Sequence, residues 1–208
     1  SNRVLYGDAY SVPYSDDFDS EETQPLFTVI DANNDGATWQ YNTWNKDMNI
    51  NTVNYSAKDT FNDWLITPGV KLKKGIAYGL VYNMRNTFRG AYEGYKILYG
   101  TDPADTTSFK LISACDSFDV SGTLTDIEND ITVDADGTYY FALVCTSQKA
   151  HGSGIFVEKI SVDALGSTEA PAAPADLAVK ADENGAMKGT ISFTAPTKTL
   201  GGTDLTGS

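Results

Sequence analysis

Short apolar runs separated by turn residues recur along this chain. The runs are rich in Val, Ile, Tyr, Phe and Thr, and Gly, Asn, Asp and Pro lie between them, which is the pattern of β-strands joined by turns. Several runs alternate with a period of two, and no long amphipathic helical pattern is present in the sequence. The predicted strands cover residues 26–30, 38–43, 64–67, 75–83, 95–99, 110–114, 124–133, 138–146 and 155–162. Many short alternating strands predict an all-β protein, a jelly-roll β-sandwich of two antiparallel sheets.

The composition changes after this series of strands. A Pro-, Ala- and Ser-rich segment, 165–176, predicts an interdomain linker. Two more strand-like runs follow it, at 177–181 and 189–193, joined by the turn DENG at 182–185. A complete seven-strand sandwich needs about 100 residues, so these runs predict only part of a second module. The predicted division is 1–11 as the run-in from a preceding module, 12–164 as the jelly-roll domain, 165–176 as the linker and 177–208 as the start of the next module.

Charge excludes some partners. The 208 residues include 28 acids against 15 Lys and Arg, for a net charge of -13. The basic residues are scattered and form no positive stripe, so nucleic acid is not a predicted partner. No apolar run of about 18 residues occurs, so no membrane span is predicted. An acidic, Asn- and Asp-rich surface suits extracellular solubility and the binding of divalent cations.

One loop, DANNDGATW at 31–39, predicts a cation site. Asp31, Asn33 and Asp35 offer side-chain oxygens at alternate positions and Gly36 follows, which is the first half of the helix-loop-helix calcium signature. The second half is missing, because the twelfth position is Asn42 and not a bidentate Glu. The alternative is a plain turn, since Asn, Asp and Gly are common turn residues.

Calcium would need more oxygens than these three side chains supply. It takes about six to eight, and the carbonyl of Ala37 is our candidate for a fourth local one. Distant carboxylates must then complete the shell, and Asp19 and Glu158, on the first and last strands of the jelly roll, are the predicted ones. Such an ion would be structural Ca2+ and not a catalytic metal.

An aromatic cluster near the same loop is a candidate ligand surface. Trp39 and Tyr41 fall on one face of a predicted strand, and Trp44 lies near its end. These rings could stack on a sugar, or they could fill the core, since aromatic residues are common in β-sheet interiors.

Catalytic constellations are weak in this sequence. His151 is the single histidine and lies in KAHGSG, and no G-x-S-x-G motif accompanies it. We therefore predict no enzyme activity. Cys115 and Cys145 are predicted to be free thiols, because the strand at 95–99 should lie between theirs, and two strand spacings exceed the reach of a disulfide.

Four blocks of sequence resemble the cleaved-adhesin, or choice-of-anchor J, jelly-roll family, whose members include the adhesin regions of gingipain proteases. They are YSDDFDS at 14–20, FTVIDANNDGATW at 27–39, NDWLITPGVKL at 62–72, which is close to the family's D-D-W-L-I-T-P signature, and IFVEKISV at 155–162. The resemblance covers about residues 12–163. The chain departs from the pattern at Asn62, where an Asp is usual, and at Glu158-Lys159, where two acids are usual.

The tail resembles the first strands of a fibronectin type III module. Together, the two resemblances imply a tandem array on a bacterial surface or in a secretion. They imply a non-catalytic module for adhesion or ligand binding, with an extracellular glycan or a host or matrix protein as partner and neighbouring modules in the same chain. Two alternatives stay open: a purely structural spacer, and an accessory domain of a secreted protease or glycosidase.

Overall fold

The computed structural model describes residues 9–53, 60–87, 89–148, 153–181 and 189–205. His151 and the predicted DENG turn lie outside the described residues, as do positions 1–8 of the predicted run-in. The strands are β1 Tyr10–Ser11, β2 Tyr14–Asp16, β3 Thr28–Asp31, β4 Gln40–Asn42, β5 Asp47–Ile50, β6 Asp63–Ile66, β7 Val70–Leu72, β8 Ile76–Asn86, β9 Glu93–Gly100, β10 Lys110–Phe118, β11 Thr125–Thr132, β12 Gly137–Cys145, β13 Ile155–Ser167, β14 Ala175–Ala181 and β15 Gly189–Thr194. Two 3-10 turns, Gln24–Leu26 and Thr106–Ser108, complete the elements.

Two large sheets form the jelly-roll sandwich, which confirms the predicted fold class. In sheet 1, of seven strands, β12 pairs with β9 on one side and with β6 and β7 on the other. Strand β10 continues this sheet beyond β9, while β3 and β1 continue it beyond β6 and β7. In sheet 2, of six strands, β13 pairs with β8 on one side and with β5 and β2 on the other, and β11 and β4 form its edges.

The core lies between the two sheets and follows the period-two patterns of the sequence. Leu80 and Tyr82 of β8 and Phe141 and Leu143 of β12 are fully buried in one apolar cluster. A second, smaller cluster covers the outer face of sheet 1, where Phe109 packs edge-on against Trp64 at a ring distance of 5.6 Å. The connection from β9 to β10 therefore folds over that face, and sheet 1 is covered on both sides there.

Several boundaries differ from the predictions. Strand β13 continues to Ser167, three residues into the predicted linker at 165–176, and β1 belongs to sheet 1 although it falls in the predicted run-in. The short strands β1, β5 and β7 were not predicted, because their two to four residues show no clear period.

The tail forms a two-stranded sheet from β14 and β15. One of its faces carries the cross-strand pair of Val179 and Ile191, with Leu177 and Phe193 further along, and all four side chains are exposed. No helix in the described part of the chain is long and apolar enough to cross a membrane.

Candidate metal site

Two strands of sheet 1 bring the acidic loop together with a distant carboxylate. Asp31 is the last residue of β3 and Asp63 is the first residue of β6. The two strands are antiparallel and pair Asp31 directly with Asp63. The chain therefore places the start of the loop at 31–37 beside a residue 32 positions further along.

The loop is closed by its own side chains. The Asp31 carboxylate accepts hydrogen bonds from the backbone N–H groups of Asp35, at 3.2 Å, and Gly36, at 2.9 Å. The Asp35 carboxylate accepts from the N–H of Ala37, at 2.8 Å, and from the Asn33 amide, at 2.9 Å. Gly36 has a φ of +82°, a conformation that Gly adopts without strain. These hydrogen bonds hold the Asp31 and Asp35 carboxylates against the backbone of the loop.

Asp31, Asp35 and Asp63 form one carboxylate group, with an oxygen of each lying within 4.8 Å of the others. Asp63 is 0% exposed, and neither of its carboxylate oxygens has a hydrogen-bond partner among the described residues. Its backbone carbonyl accepts a 2.9 Å hydrogen bond from Trp39 Nε1, which fixes the residue in place. A buried carboxylate without donors is costly in a folded protein, unless a cation or a proton neutralises it.

The pKa of Asp63 also indicates a site where a cation would be favoured. The pKa of Asp63 is raised from 3.8 to about 7, first by burial and then by the negative charges of Asp35 and Asp31. The nearby backbone of Asn62 lowers the pKa of Asp63 and so opposes part of this rise, although it forms no hydrogen bond of ordinary geometry with the carboxylate. The group therefore concentrates negative charge in a place where water cannot solvate Asp63.

The donors fit a hard cation. Three carboxylates supply up to six oxygens, and calcium takes six to eight, with carboxylates binding through one or both oxygens. Neither histidine nor cysteine is part of the group, so a soft or borderline ion such as zinc is not favoured. Carboxylate oxygens alone favour Ca2+ or another hard divalent ion.

Of the other predicted ligands, two lie in the loop of the carboxylate group and two lie outside the group. Asn33 lies in the same loop and its amide also donates to the carbonyl of Thr60, and Ala37 is buried in the loop. Glu158 lies outside the carboxylate group and pairs with Arg85, at 3.3 Å between Oε1 and Nε. Asp19 is exposed on the segment after β2 and is also outside the group. Sheet register therefore supplies Asp63 where the sequence predicted Asp19 and Glu158.

Asp63 was missed because its approach to Asp31 is not local. The available signal was position: an Asp directly before an apolar strand, in NDWLITP, and another directly after one, in FTVID. In antiparallel neighbours the end of one strand meets the start of the next. The pairing of these two strands could not be known from the sequence alone.

The predicted aromatic cluster is separated by the fold. Trp39 is 2% exposed and packs in the core, so its ring offers no face to a ligand and the predicted sugar stack on it is wrong. Tyr41 is partly buried, and its hydroxyl donates to the Phe18 carbonyl at 2.8 Å. Trp44 is 94% exposed in the turn between β4 and β5 and remains available to a ligand.

No family model matches the chain, and no curated protein sequence matches it. Solved structures do. The K1 cleaved adhesin domain of Lys-gingipain from Porphyromonas gingivalis W83 matches with a TM-score of 0.53 and 17% identity, over 74% of this chain and 99% of that domain. The fold is that of the cleaved adhesin domains.

Two further cleaved adhesin domains of Lys-gingipain support this assignment. K3, from the same organism, matches with a TM-score of 0.54 and 16% identity, over 72% of this chain and 98% of that domain. K2 matches with a TM-score of 0.50 and 16% identity, over 73% of this chain and 99% of that domain. The resemblance drawn from the sequence is thus confirmed at the level of the cleaved-adhesin fold.

Proposed function

We propose that this chain is a non-catalytic binding module of a secreted or surface-bound bacterial protein, stabilised by calcium, which takes an extracellular glycan or protein as its ligand. The observation that carries the calcium part is the buried Asp63 carboxylate, which has no hydrogen-bond donor among the described residues and lies with Asp31 and Asp35. Those three residues would hold the ion, and Asn33 and Ala37 of the same loop are further oxygen donors.

A structural role for the ion follows from where the site lies. Its ligands come from the end of β3, the following loop and the start of β6, so a bound ion would tie the loop to sheet 1. The most buried ligand, Asp63, is inaccessible to solvent. A substrate therefore has no route to the inner side of the ion, which favours stabilisation over chemistry.

Two features favour a binding module over a spacer. Trp44 projects an almost completely exposed indole from the turn between β4 and β5, and Tyr92 is half exposed before β9. Large aromatic side chains that lie in solvent are typical contact residues of binding surfaces. The solved domains that share this fold bear the name adhesin, and we assign this chain to the same class of role.

Thermal unfolding in calcium and in chelator tests the metal site. An ion that binds only the folded state at 100 times its dissociation constant adds about 2.7 kcal/mol to the free energy of unfolding. Each kcal/mol moves the melting temperature of a domain of this size by about 2–4 °C, so chelation should lower it by roughly 5–10 °C. Asp31→Ala and Asp35→Ala should remove this difference.

The matched control is Asp130→Asn, which changes an exposed acid on β11 outside the carboxylate group. It should keep the full response to calcium. Identical melting curves of the unaltered protein in calcium and chelator would reject the metal site. An array of glycans and matrix proteins tests the binding role separately, and a chain that binds nothing on it in calcium would be a spacer.

A further inference from the structure

A cavity of about 630 Å³ opens at the end of sheet 1. Its described lining residues come from three neighbouring strands and their ends: Tyr92, Gly94, Asp116, Ser117, Thr146 and Gln148. The volume lies within the range of about 300–1,000 Å³ that small-molecule sites occupy. None of the residues of the candidate metal site lines it, so it is a separate feature of the fold.

The floor of this cavity is held by the ladder between β9 and the end of β12. The N–H of Thr146 donates to the Gly94 carbonyl at 2.8 Å, and the N–H of Gly94 donates to Ser147 Oγ at 3.0 Å. A Cβ on residue 94 would lie 2.9 Å from both the carbonyl oxygen and Oγ1 of Thr146. Glycine at this position therefore permits the close approach of Thr146, which a Cβ would prevent.

A buried carboxylate makes this floor rigid. Glu93, the residue before Gly94, is 0% exposed and accepts hydrogen bonds from Ser147 Oγ at 2.6 Å, Thr52 Oγ1 at 3.1 Å and the N–H of Gly154 at 2.6 Å. These donors lie on three separate segments of the chain. Three segments of the chain are thus held to one carboxylate, so the cavity has a preformed floor and need not be ordered by its ligand.

The lining chemistry is polar, aromatic and without positive charge. Tyr92 exposes 49% of its surface, and Asp116, Ser117 and Gln148 are exposed as well. Thr146 Oγ1 is buried and has no hydrogen-bond partner among the described residues. The hydroxyl and amide groups of the lining can donate and accept hydrogen bonds, and its carboxylate can accept them. No Lys, Arg or His belongs to the described lining, which disfavours an anionic ligand.

We propose that this cavity binds one unit of a neutral saccharide. A sugar presents neighbouring hydroxyls, which the amide, carboxylate and hydroxyl groups of the lining can pair, and an apolar C–H face, which the Tyr92 ring can cover. This inference rests on the proposed function, because it names the ligand class and the site through which the module would bind.

Saturation-transfer NMR with methyl glycosides of glucose, galactose, mannose and xylose tests this assignment, followed by calorimetric titration of any glycoside that gives a signal. The variants are Tyr92→Ala and Gln148→Ala, both at exposed positions where folding should be preserved. The matched control is Gln40→Ala, which shortens an exposed glutamine on β4, outside the described lining of the cavity. Strand β4 lies at one edge of sheet 2 and β11 at the other, and β11 contacts β10 through the hydrogen bond from Ser113 to Asn129.

We expect at least one glycoside to bind. Tyr92→Ala should weaken its binding about tenfold or more, Gln148→Ala should weaken it as well, and Gln40→Ala should leave it unchanged. Binding that survives Tyr92→Ala and Gln148→Ala, or that is lost in Gln40→Ala, overturns the assignment to this cavity. The absence of any signal across the panel also overturns it. If the array in that case detects a protein ligand, and melting remains calcium-dependent, the proposed function stands while this inference fails.

Discussion

The buried carboxylate of Asp63 makes a sharp prediction for the substitution Asp63→Asn. Asn keeps the shape of the side chain but removes one of the three negative charges, and it donates as well as accepts hydrogen bonds. In chelator the substitution should stabilise the protein, because it removes a buried charge that lacks a partner. In calcium it should remove most of the stabilisation by the ion, because it removes the most buried ligand.

The magnitude follows from the geometry and from the raised pKa. Two unit charges 4.8 Å apart repel by about 3–4 kcal/mol at an effective dielectric constant of about 20. The rise in the pKa of Asp63 from 3.8 to about 7 corresponds to roughly 4 kcal/mol at about 1.4 kcal/mol per pKa unit. Allowing for relaxation, we expect Asp63→Asn to raise the melting temperature in chelator by roughly 5–10 °C at pH 8.

The pH dependence has a defined sign. Without metal, folded Asp63 holds its proton up to about pH 7, whereas the unfolded chain releases it near pH 4. The folded state then binds more protons than the unfolded state, so the stability of the metal-free protein falls as pH rises between these values. The gain from Asp63→Asn in chelator should therefore be absent below about pH 4 and complete above about pH 7.

Melting curves of the unaltered protein and of Asp63→Asn, recorded by circular dichroism at pH 4 and pH 8 in chelator and in calcium, test these expectations. Two results would refute the reasoning. A lower melting temperature of Asp63→Asn in chelator at pH 8 would mean that the carboxylate stabilises the fold without an ion. A calcium response that persists undiminished in this variant would mean that Asp63 is not a ligand.

Three further predictions address other parts of the molecule. Alkylation without reductant should label both Cys115 and Cys145 in denatured protein. In native protein Cys145 should resist, because it is buried and its pKa is raised to about 12, mainly by that burial. An intact mass lower than that of the dithiol by two hydrogen atoms would contradict this prediction. Glu93→Ala should lower the free energy of unfolding in urea by about 3–5 kcal/mol, because it leaves buried donors without their acceptor. Glu93→Gln, which keeps an acceptor, should cost less. Equal stability of all three proteins would mean that the hydrogen bonds to Glu93 do not stabilise the fold. Removal of residues 174–208 should change the melting temperature of the sandwich by less than about 2 °C, because a lone two-stranded hairpin contributes little stability in water; a larger loss would show that the tail stabilises the jelly roll.

The sequence was sufficient for the strands whose side chains alternate over many residues. Tyr78, Leu80 and Tyr82 occupy alternate positions in the sequence, and all three are buried in the core from β8. Strand β5 was missed because its sequence, DMNI, includes two polar residues and has no strand-like composition; only Met48 and Ile50 face the core. Period-two patterning is thus informative in long strands and uninformative in short ones.

The candidate site divides in the same way. Asp31, Asn33 and Asp35 could be selected from local spacing, because loop geometry depends on neighbours in sequence. Asp63 depends on the register between β3 and β6, which is a property of the folded sheet. Glu158 was assigned to the metal from its strand, but Arg85 on the adjacent strand β8 neutralises it instead. Sequence spacing does not show whether a carboxylate such as Glu158 contacts a metal ion or an arginine on a neighbouring strand.

One row of paired residues joins the candidate metal site to the proposed saccharide cavity. Across sheet 1, Asp31 pairs with Asp63, Asp63 with Cys145, Cys145 with Tyr95, and Tyr95 with Cys115. Four strand spacings of about 4.8 Å separate its ends by roughly 19 Å, so a calcium ion at Asp31 cannot touch a sugar beside Asp116. The closest approach is through β6 and β12, where Thr146 follows Cys145 and lines the cavity. Any effect of calcium on saccharide affinity must therefore pass through this ladder, and it should be small compared with the direct effect of Tyr92→Ala.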